Sequence, residues 1–522
     1  MPYVGYAFIL LVCLEIILVC LNKVNPKVYP LLLYLIGAGL VLMTTLAGPY
    51  LVGSDIHLEY YYAQLRAGRD VLQPIIGLPQ GTVIISYLTD NMYAYKVVYP
   101  LLFSLVPPIL YAVFKKFITD IQAFLASFFF IIFPAFSMEL PGIVRQMAAG
   151  IGLATLLYLL VVSKLRTRYK VPLIVLCSIL LPLFHYATAV VAIVLLAFGC
   201  ILGGSKKLFR ISVTSIIIVS SIYFSIAEGG AVAIRLGDIY NSWTPSSLGI
   251  LGVPIPKPEE ALPVSPAPPV HRYEPLVQSG LGVDLAQTTT PGKVFRILQL
   301  LILVVAVIGL WKLRKNKAYW ALGGGGLLLC SFLLIGPNLS SLLNITRFLH
   351  LALFTLAPAV AIVLKPKYLL LLLIPYFLFT SGVVFEVTKQ PNIETINIPY
   401  SVGLSTYRMD LGATITKDDI KVRDYIYKNT LFPVYSDING ATLLDEVVGW
   451  RGDLNIMLGD SPTPLKDGYM FIRSGNAQDG TFTTWIGVGC RKYVDPKEYY
   501  GIDINSNIIY QSGDARVIKV GG

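Results

Sequence analysis

Three ionisable residues within five positions are the strongest candidates for chemistry in this chain of 522 residues. Asp55, His57 and Glu59 lie in the stretch Gly53-Ser-Asp-Ile-His-Leu-Glu-Tyr-Tyr-Tyr62, directly after the apolar run 28–48. A carboxylate at membrane depth is costly unless it is paired, so acids at the mouth of a membrane helix indicate a functional site. Such a carboxylate can act as a general base that takes the proton of an attacking hydroxyl.

Four further polar residues follow apolar runs in the same way. Glu139 and Arg145 flank Pro141-Gly142, His185 interrupts a long apolar stretch, and Arg347 follows Asn344-Ile-Thr. The planar guanidinium of arginine binds phosphate oxygens in pairs, so arginines at the level of lipid headgroups suit a phosphate. If these loops converge, acids, arginines and histidines face one cavity at the membrane surface.

Each of these residues also has a structural interpretation. The acid stretch can be an ordinary hydrated loop, and both arginines can extend to lipid headgroups without binding a substrate. His185 can be a hydrogen-bonded packing residue in its apolar surroundings. Glu139 can stabilise the start of the following helix, where a negative charge is favoured. The sequence alone leaves these alternatives open.

The composition is that of a membrane protein. Hydrophobic residues make up 55% of the chain and charged residues only 14%, and apolar runs of about twenty residues recur as in proteins that cross the membrane many times. The net charge of +11 comes from short basic clusters between those runs. This distribution excludes a nucleic-acid surface and is typical of residues that orient helices in a membrane.

The apolar runs predict about twelve membrane spans, at 4–22, 28–48, 93–114, 121–138, 143–163, 171–184, 189–204, 211–227, 293–311, 318–336, 347–364 and 368–385. Basic clusters occupy alternate loops, at 23–27, 115–116, 164–170, 206–210, 312–317 and 365–367. The positive-inside rule places these loops in the cytoplasm. Both termini and the loops that carry the candidate site residues then face outward.

The spans predict two domains. Residues 1–385 form the α-helical transmembrane domain, with large outward loops at 49–92 and 228–292, the second of which is rich in proline at 254–275. Residues 386–522 form the polar tail. Apolar and polar residues alternate at 469–473 and 507–510, as they do in strands, and 418–429 has the periodicity of a helix. About 135 residues can bury a core of their own, so the tail is predicted to be a small extracytoplasmic α/β domain.

The pattern resembles the GT-C superfamily of membrane glycosyltransferases, in which the first large outward loop carries an acid just after a span. Ser54-Asp-Ile-His-Leu-Glu-Tyr-Tyr matches that placement. The chain is most similar to an uncharacterised archaeal family of polytopic membrane proteins assigned to this class. The residues that carry this resemblance are the stretch at 53–61, Glu139-Leu-Pro with Arg145-Gln, His185-Tyr-x-Thr, and Tyr510-Gln-Ser-Gly.

The resemblance implies transfer of a sugar from a polyprenyl-phosphate or polyprenyl-pyrophosphate carrier. Asp55 would match the catalytic acid of the superfamily and Glu139 the acid of its second outward loop. Some relatives hold a divalent metal, Mg or Mn, at these two acids and others do not. The acidic loop follows the second span here rather than the first, which implies an additional N-terminal helix. The tail lacks the Trp-Trp-Asp-Tyr-Gly stretch of oligosaccharyltransferases, which argues against block transfer of a glycan to asparagine.

Together with this resemblance, these observations predict an inverting membrane glycosyltransferase whose acceptor is a glycan or a protein on the outer face of the membrane. Asp55 is the predicted general base, His57 and Glu59 orient it or bind metal, and Glu139 is the second catalytic acid. Arg145, His185 and Arg347 are predicted to hold the carrier phosphate. A transporter or flippase of lipid-linked glycans is the main alternative. The third hypothesis is a non-catalytic scaffold whose tail domain binds a cell-surface polymer.

Overall fold

The computed structural model describes residues 2–53, 55–67, 91–202, 206–226, 290–335, 345–389, 404, 415–448, 455–458, 465, 467–487 and 490–521. The proline-rich passage 254–275, most of the predicted loop 228–292 and part of the predicted loop 49–92 lie outside these residues. A helix lies over every one of the predicted spans. The first part of the chain is therefore helical, as its apolar runs predict.

The helices of this part are α1 (Pro2–Cys20), α2 (Tyr29–Thr45), α3 (Asp55–Ala67), α4 (Tyr99–Phe103), α5 (Val106–Phe114), α6 (Asp120–Ile131), α7 (Val144–Val161), α8 (Thr167–Phe184), α9 (Tyr186–Leu202), α10 (Lys206–Ile226), α11 (Thr290–Lys312), α12 (Lys317–Ile335), α13 (Ile345–Ala361), α14 (Pro366–Thr380) and α15 (Val383–Val387). Among the described residues, six helical segments are long and apolar enough to cross a membrane, or seven if one bent pair forms a single span. The chain is a membrane protein, while the number of twelve spans stays a prediction.

The bent pair carries the chain into the candidate site. α6 ends at Ile131, and after Pro134 a π-helical turn, Ala135–Glu139, and a 3-10 turn, Leu140–Gly142, continue at an angle of 49° to it. Proline lacks a backbone N–H and its ring clashes with the preceding turn, so it breaks a regular helix here. Glu139 is consequently held at the end of a broken helix.

Loops with predicted cytoplasmic basic clusters meet at one end of the helical bundle. Tyr29 and Tyr111 lie edge to face with ring centroids 6.2 Å apart, and the rings of Phe117 and Tyr319 are 5.7 Å apart. Nζ of Lys312 donates to the carbonyl of Val363 at 2.8 Å. These contacts lie near four of the six basic clusters, at 23–27, 115–116, 312–317 and 365–367, and the alternation of all six and the end that faces outward stay predictions.

Glycines let the helices of the bundle approach closely. A Cβ atom on Gly325 of α12 would lie 2.3 Å from the carbonyl oxygen of Leu195 in α9, and one on Gly326 would lie 2.4 Å from Oγ1 of Thr355 in α13. The run Gly323–Gly326 therefore serves close helix packing, as small residues do in membrane bundles.

The tail folds into a small α/β unit with helices α16 (Lys417–Lys428), α17 (Ile438–Val448), α18 (Ser474–Asp479) and α19 (Pro496–Tyr500), and strands β1 (Val434–Ser436), β2 (Asn455–Met457), β3 (Gly468–Ile472), β4 (Phe482–Gly487), β5 (Cys490–Val494), β6 (Ile508–Ser512) and β7 (Ala515–Val520). The main sheet has the order β2-β1-β3-β7-β6, with β1 parallel to β2 and β3 and the other pairs antiparallel. The predicted helix and both predicted strands are confirmed. The domain boundary at residue 385 stays a prediction.

Candidate functional site

Helix α3 divides the acid cluster between two of its faces. Asp55 and Glu59 are four residues apart, so they are neighbours on one face of the helix, whereas His57 is rotated about 200° from Asp55. The prediction of a single cluster of three residues in a loop is therefore wrong: the stretch is helical, and its charged residues point in two directions. Glu59 and His57 are completely buried, and the side chain of Asp55 is one-third exposed.

Arg145 binds both acids on the first face. Its Nη2 donates to Oδ2 of Asp55 at 2.5 Å and its Nη1 donates to Oε1 of Glu59 at 2.9 Å. The backbone N–H of Val144 donates to the second oxygen of Glu59 at 2.9 Å. Because Val144 begins α7, this N–H is one of the first-turn donors that have no partner inside the helix. The guanidinium thus spans two carboxylates, with a helix N-terminus behind one of them.

Two glycines let the segment before α3 cross the segment before α7. A Cβ atom on Gly53 would lie 2.6 Å from Cα of Gly142, and one on Gly142 would lie 3.0 Å from Cα of Gly53. Gly53 also has a φ of +124°, which side-chain-bearing residues rarely adopt. This crossing brings Asp55, two residues after Gly53, next to Arg145, three residues after Gly142.

We expect Gly53→Ala to destabilise the protein by about 1–3 kcal/mol from backbone strain alone and to displace Asp55. Thermal unfolding in detergent measures the stability. The matched control is Gly152→Ala, because a Cβ atom there meets its nearest neighbour, Cδ2 of Leu181, at an ordinary 3.8 Å. Alanine within a helix leaves stability the same or raises it by about 0.4–1 kcal/mol. Equal melting temperatures for the two variants would contradict the crossing.

Burial controls the protonation of Glu59. It raises the pKa of Glu59 to about 7, because the loss of water around the carboxylate outweighs the attraction of Arg145 and of the backbone N–H groups of Val144 and Arg145. The negative charge of Asp55 adds to the increase. Glu59 therefore changes its charge near neutral pH beside the guanidinium that also holds Asp55.

A pH dependence of stability follows. The folded pKa of Glu59 lies above its ordinary value of 4.5, so this group's contribution is fully present below pH 4.5 and is lost as the pH rises through about 7. Over that window, wild type should lose about 3 kcal/mol relative to Glu59→Gln, which has no proton to lose. Thermal unfolding of both proteins between pH 4 and pH 8 measures the difference, and parallel curves would exclude it.

Glu139 and Arg347 form a second ion pair. Nε of Arg347 donates to Oε2 of Glu139 at 3.2 Å, and the hydroxyl of Thr346 donates to Oε1. Nη1 of Arg347 reaches Oε1 of Gln146 at 3.5 Å, while Nη2 donates to none of the described residues. The side chain of Arg347 is 23% exposed. Of the two arginines, Arg347 therefore has the guanidinium edge that is better placed to bind an anion.

His185 is a neutral hydrogen-bond donor near both arginines. Burial lowers its pKa well below the ordinary value of 6.5, and the charges of Arg145 and Arg347 lower it further. The backbone N–H of Thr188 donates to Nδ1 of His185 at 3.2 Å, which requires Nδ1 to be unprotonated. The proton of the neutral ring is then on Nε2. A neutral histidine with a proton on Nε2 can donate a hydrogen bond to an anion, and the positive charges of Arg145 and Arg347 favour an anion at this position.

His57 lies away from these groups and contacts the tail domain. Its Nδ1 lies 2.6 Å from Oε1 of Glu446 in α17, and Arg423 of α16 donates to the other oxygen of Glu446. Burial raises the pKa of Glu446, but the charges and hydrogen bonds of His57 and Arg423 outweigh this effect and hold that pKa below its usual value. The predicted role of His57 in orienting Asp55 directly has no support in this arrangement.

Sequence reasoning missed Glu446, Arg423 and the backbone N–H of Val144. Lys96 lies within the predicted span 93–114, and the sequence alone assigns it no role. Lys96 is buried, and its Nζ donates to the carbonyl oxygens of Gly48 and of Tyr50, the latter at 2.7 Å. A cation near the end of α2 is favoured by the helix dipole. Lys96 therefore fixes the connection that leads into Gly53 and α3, and a buried lysine within an apolar run was the signal for this role.

The residues predicted to bind a metal do not form a metal site. Among the described residues, no group of three His, Cys, Asp or Glu side chains is arranged to hold an ion. Asp55 is paired with Arg145 and Glu139 with Arg347. Both acids thus have a guanidinium partner, and a divalent metal at Asp55 and Glu139 stays a prediction.

Comparisons with known proteins identify no family. No family model and no curated sequence matches the chain. A solved structure of the archaeal oligosaccharyltransferase AglB from Archaeoglobus fulgidus, in complex with an inhibitory peptide and a dolichol-phosphate, has a TM-score of 0.43 and 12% identity over 94% of this chain and 77% of that chain. The Archaeoglobus fulgidus oligosaccharyltransferase in complex with Zn and sulfate has a TM-score of 0.41 and 12% identity over 91% and 74%. Values of this size do not establish a shared fold or a shared function.

Proposed function

We propose that this protein is a membrane glycosyltransferase that moves a sugar from a polyprenyl-phosphate or polyprenyl-pyrophosphate carrier to a hydroxyl acceptor on a glycan or a protein at the outer face. The observation that supports it most is the ion pair of Asp55 with Arg145, a partly exposed acid beside a cation at the crossing of Gly53 and Gly142. A transfer of this kind needs both a base for the acceptor and positive charge for the departing phosphate.

In the proposed reaction, Asp55 takes the proton of the acceptor hydroxyl while the oxygen of that hydroxyl attacks the anomeric carbon. The bond between that carbon and the carrier oxygen breaks, its electron pair stays on the carrier, and the configuration of the sugar is inverted. Asp55 then returns the proton to solvent. The role of Glu59 in the reaction is to hold Arg145 in place, and Arg145 in turn orients Asp55.

Arg347 and His185 provide the proposed phosphate site. The Nη2 edge of Arg347 and the Nε2 proton of His185 donate to the carrier oxygens, and their donation strengthens as negative charge develops on the leaving group. Arg145 contributes its charge while its two Nη atoms stay on carboxylates. Glu139 orients Arg347 through its Nε. This assigns Glu139 a role in phosphate binding rather than a proton transfer of its own.

A transporter of lipid-linked glycans is the second candidate. The observation that favours it is Arg296, which is buried within α11 and donates to Gln299 at 2.8 Å. Buried charges within membrane helices are typical of substrate pathways. Lys96, which is also a buried cation within an apolar run, instead donates to backbone carbonyls.

Two measurements on purified protein separate the candidates. Transfer in detergent, with polyprenyl-phosphate sugars and hydroxyl acceptors, is expected for the glycosyltransferase, since no membrane barrier is needed for the chemistry. Movement of intact lipid-linked glycan across sealed liposomes, without cleavage of the sugar–phosphate bond, is expected for the transporter. Liposome movement without cleavage would overturn the proposal.

A further inference from the structure

Helix α3 is held from two opposite sides. Arg145 and the start of α7 bind the face that carries Asp55 and Glu59. The opposite face, with His57, packs on α17 of the tail domain. The position of the proposed base relative to Arg145 therefore depends on both contacts, and one of them belongs to a distant part of the chain, since His57 and Glu446 are 389 positions apart.

The polar part of the tail contact is a buried chain of three residues. His57 is completely buried and bonds Glu446, which is 11% exposed and is bound in turn by Arg423. Nε2 of His57 has no hydrogen-bond partner among the described residues. Among the described residues, Glu446 is thus the hydrogen-bond partner that holds the His57 ring. Arg423 is fixed at its other edge by Asp424, to which Nη2 donates at 2.8 Å.

Apolar contacts support the same docking. Tyr50, which precedes α3, packs against the hydrophobic core of the tail domain around Val422, Ile426 and Val434. Further along α3, the negative charge of Asp445 in α17 acts on Tyr62. The tail domain therefore contacts this segment both before α3, at Tyr50, and within α3, at His57.

We propose that Glu446 is a positioning residue for the transfer reaction: by holding α3 through His57, the tail domain sets where Asp55 stands relative to Arg145. The catalytic consequence rests on the proposed function, whereas the attachment of α3 does not. Without Glu446, a buried His57 is left without the carboxylate that its Nδ1 meets, so its side of α3 is released. The tail domain then completes an active site that is otherwise built from the membrane domain.

The test compares the full-length variants Glu446→Ala, Glu446→Gln and His57→Ala in detergent. Amide hydrogen exchange of α3 should rise at least about tenfold in both alanine variants, since local opening of the helix becomes easier. Glu446→Gln should have an intermediate effect, because the amide oxygen still accepts from His57. Exchange in β3 and β7 should not change, which shows that the tail domain is folded. His57→Ala releases the same contact without altering the tail domain.

Transfer kinetics give the second readout. The turnover number should fall about 10-fold to 100-fold in the alanine variants while the KM for the donor stays within about twofold, as for a misplaced catalytic group. The double variant should be no slower than the worse single variant, because both changes remove one contact. Lys421→Ala is the matched control, an exposed residue of the tail domain paired with Asp418 at 3.2 Å, and it should behave as wild type.

Unchanged exchange of α3 in both alanine variants would overturn the proposal, and so would multiplicative losses in the double variant. Absence of transfer by wild type counts against the proposed function alone, since hydrogen exchange still decides whether Glu446 holds α3.

Discussion

Asp55→Asn should lower the rate of sugar transfer by about 10²-fold to 10⁴-fold, the range expected when a general base is removed. Asparagine has nearly the same shape as aspartate and can still accept a hydrogen bond from Nη2 of Arg145, which lies 2.5 Å from Oδ2. It cannot take the acceptor proton. The effect should appear in the turnover number, with the KM for the donor little changed.

The control for this variant is Asp467→Asn. Asp467 is 72% exposed in the tail domain and lies 3.9 Å from Lys519, so its replacement should leave transfer and stability as in wild type. Hydrogen exchange of α3 in Asp55→Asn checks that the helix keeps its place. Equal turnover of wild type and Asp55→Asn would assign the base to another residue.

Arg145→Met should have the largest effect on stability among the site variants. It leaves Glu59 completely buried without its cation, and breaking one side of a buried ion pair costs about 3–5 kcal/mol. Transfer should fall as well, since Asp55 loses the group that orients it. Thermal unfolding in detergent measures the first effect, and turnover of the remaining folded protein measures the second.

A second variant separates the two effects. Arg145→Met combined with Glu59→Gln removes both buried charges and should recover part of the stability, because no completely buried carboxylate is left without its cation. It should not recover transfer. Arg314→Met, which changes an exposed arginine stacked on Trp311, controls for the substitution itself. Full recovery of transfer by the double variant would show that Arg145 serves the fold alone.

The helices and strands of this chain could be predicted because their signals are local. The apolar run 28–48 becomes α2, Tyr29–Thr45, and the periodic segment 418–429 becomes α16, Lys417–Lys428. The sequence predicts a loop after Gly53, whereas the structure has helix α3, Asp55–Ala67. Asp55 occupies the first turn of α3, where an acid is favoured.

The partners of the charged residues could not be predicted, because each depends on contacts far apart in the chain. Arg145 reaches Asp55 across 90 positions, and Arg347 reaches Glu139 across 208. The sequence names these four residues as site candidates, which stays a prediction, and it assigns both arginines to a phosphate, whereas each arginine also pairs with an acid. The arginines do not simply extend to lipid headgroups, because both are paired with carboxylates inside the protein.

The most direct test of sugar transfer with Asp55 as the base is phosphorus-31 NMR of purified wild-type protein in detergent, mixed with polyprenyl-phosphate sugars and a panel of hydroxyl acceptors. We expect the phosphodiester signal of a suitable donor to be converted into that of polyprenyl phosphate as product forms, and Asp55→Asn to leave it nearly unchanged. A phosphodiester signal that persists equally in both proteins, while wild type carries intact donor across sealed liposomes, would contradict this function.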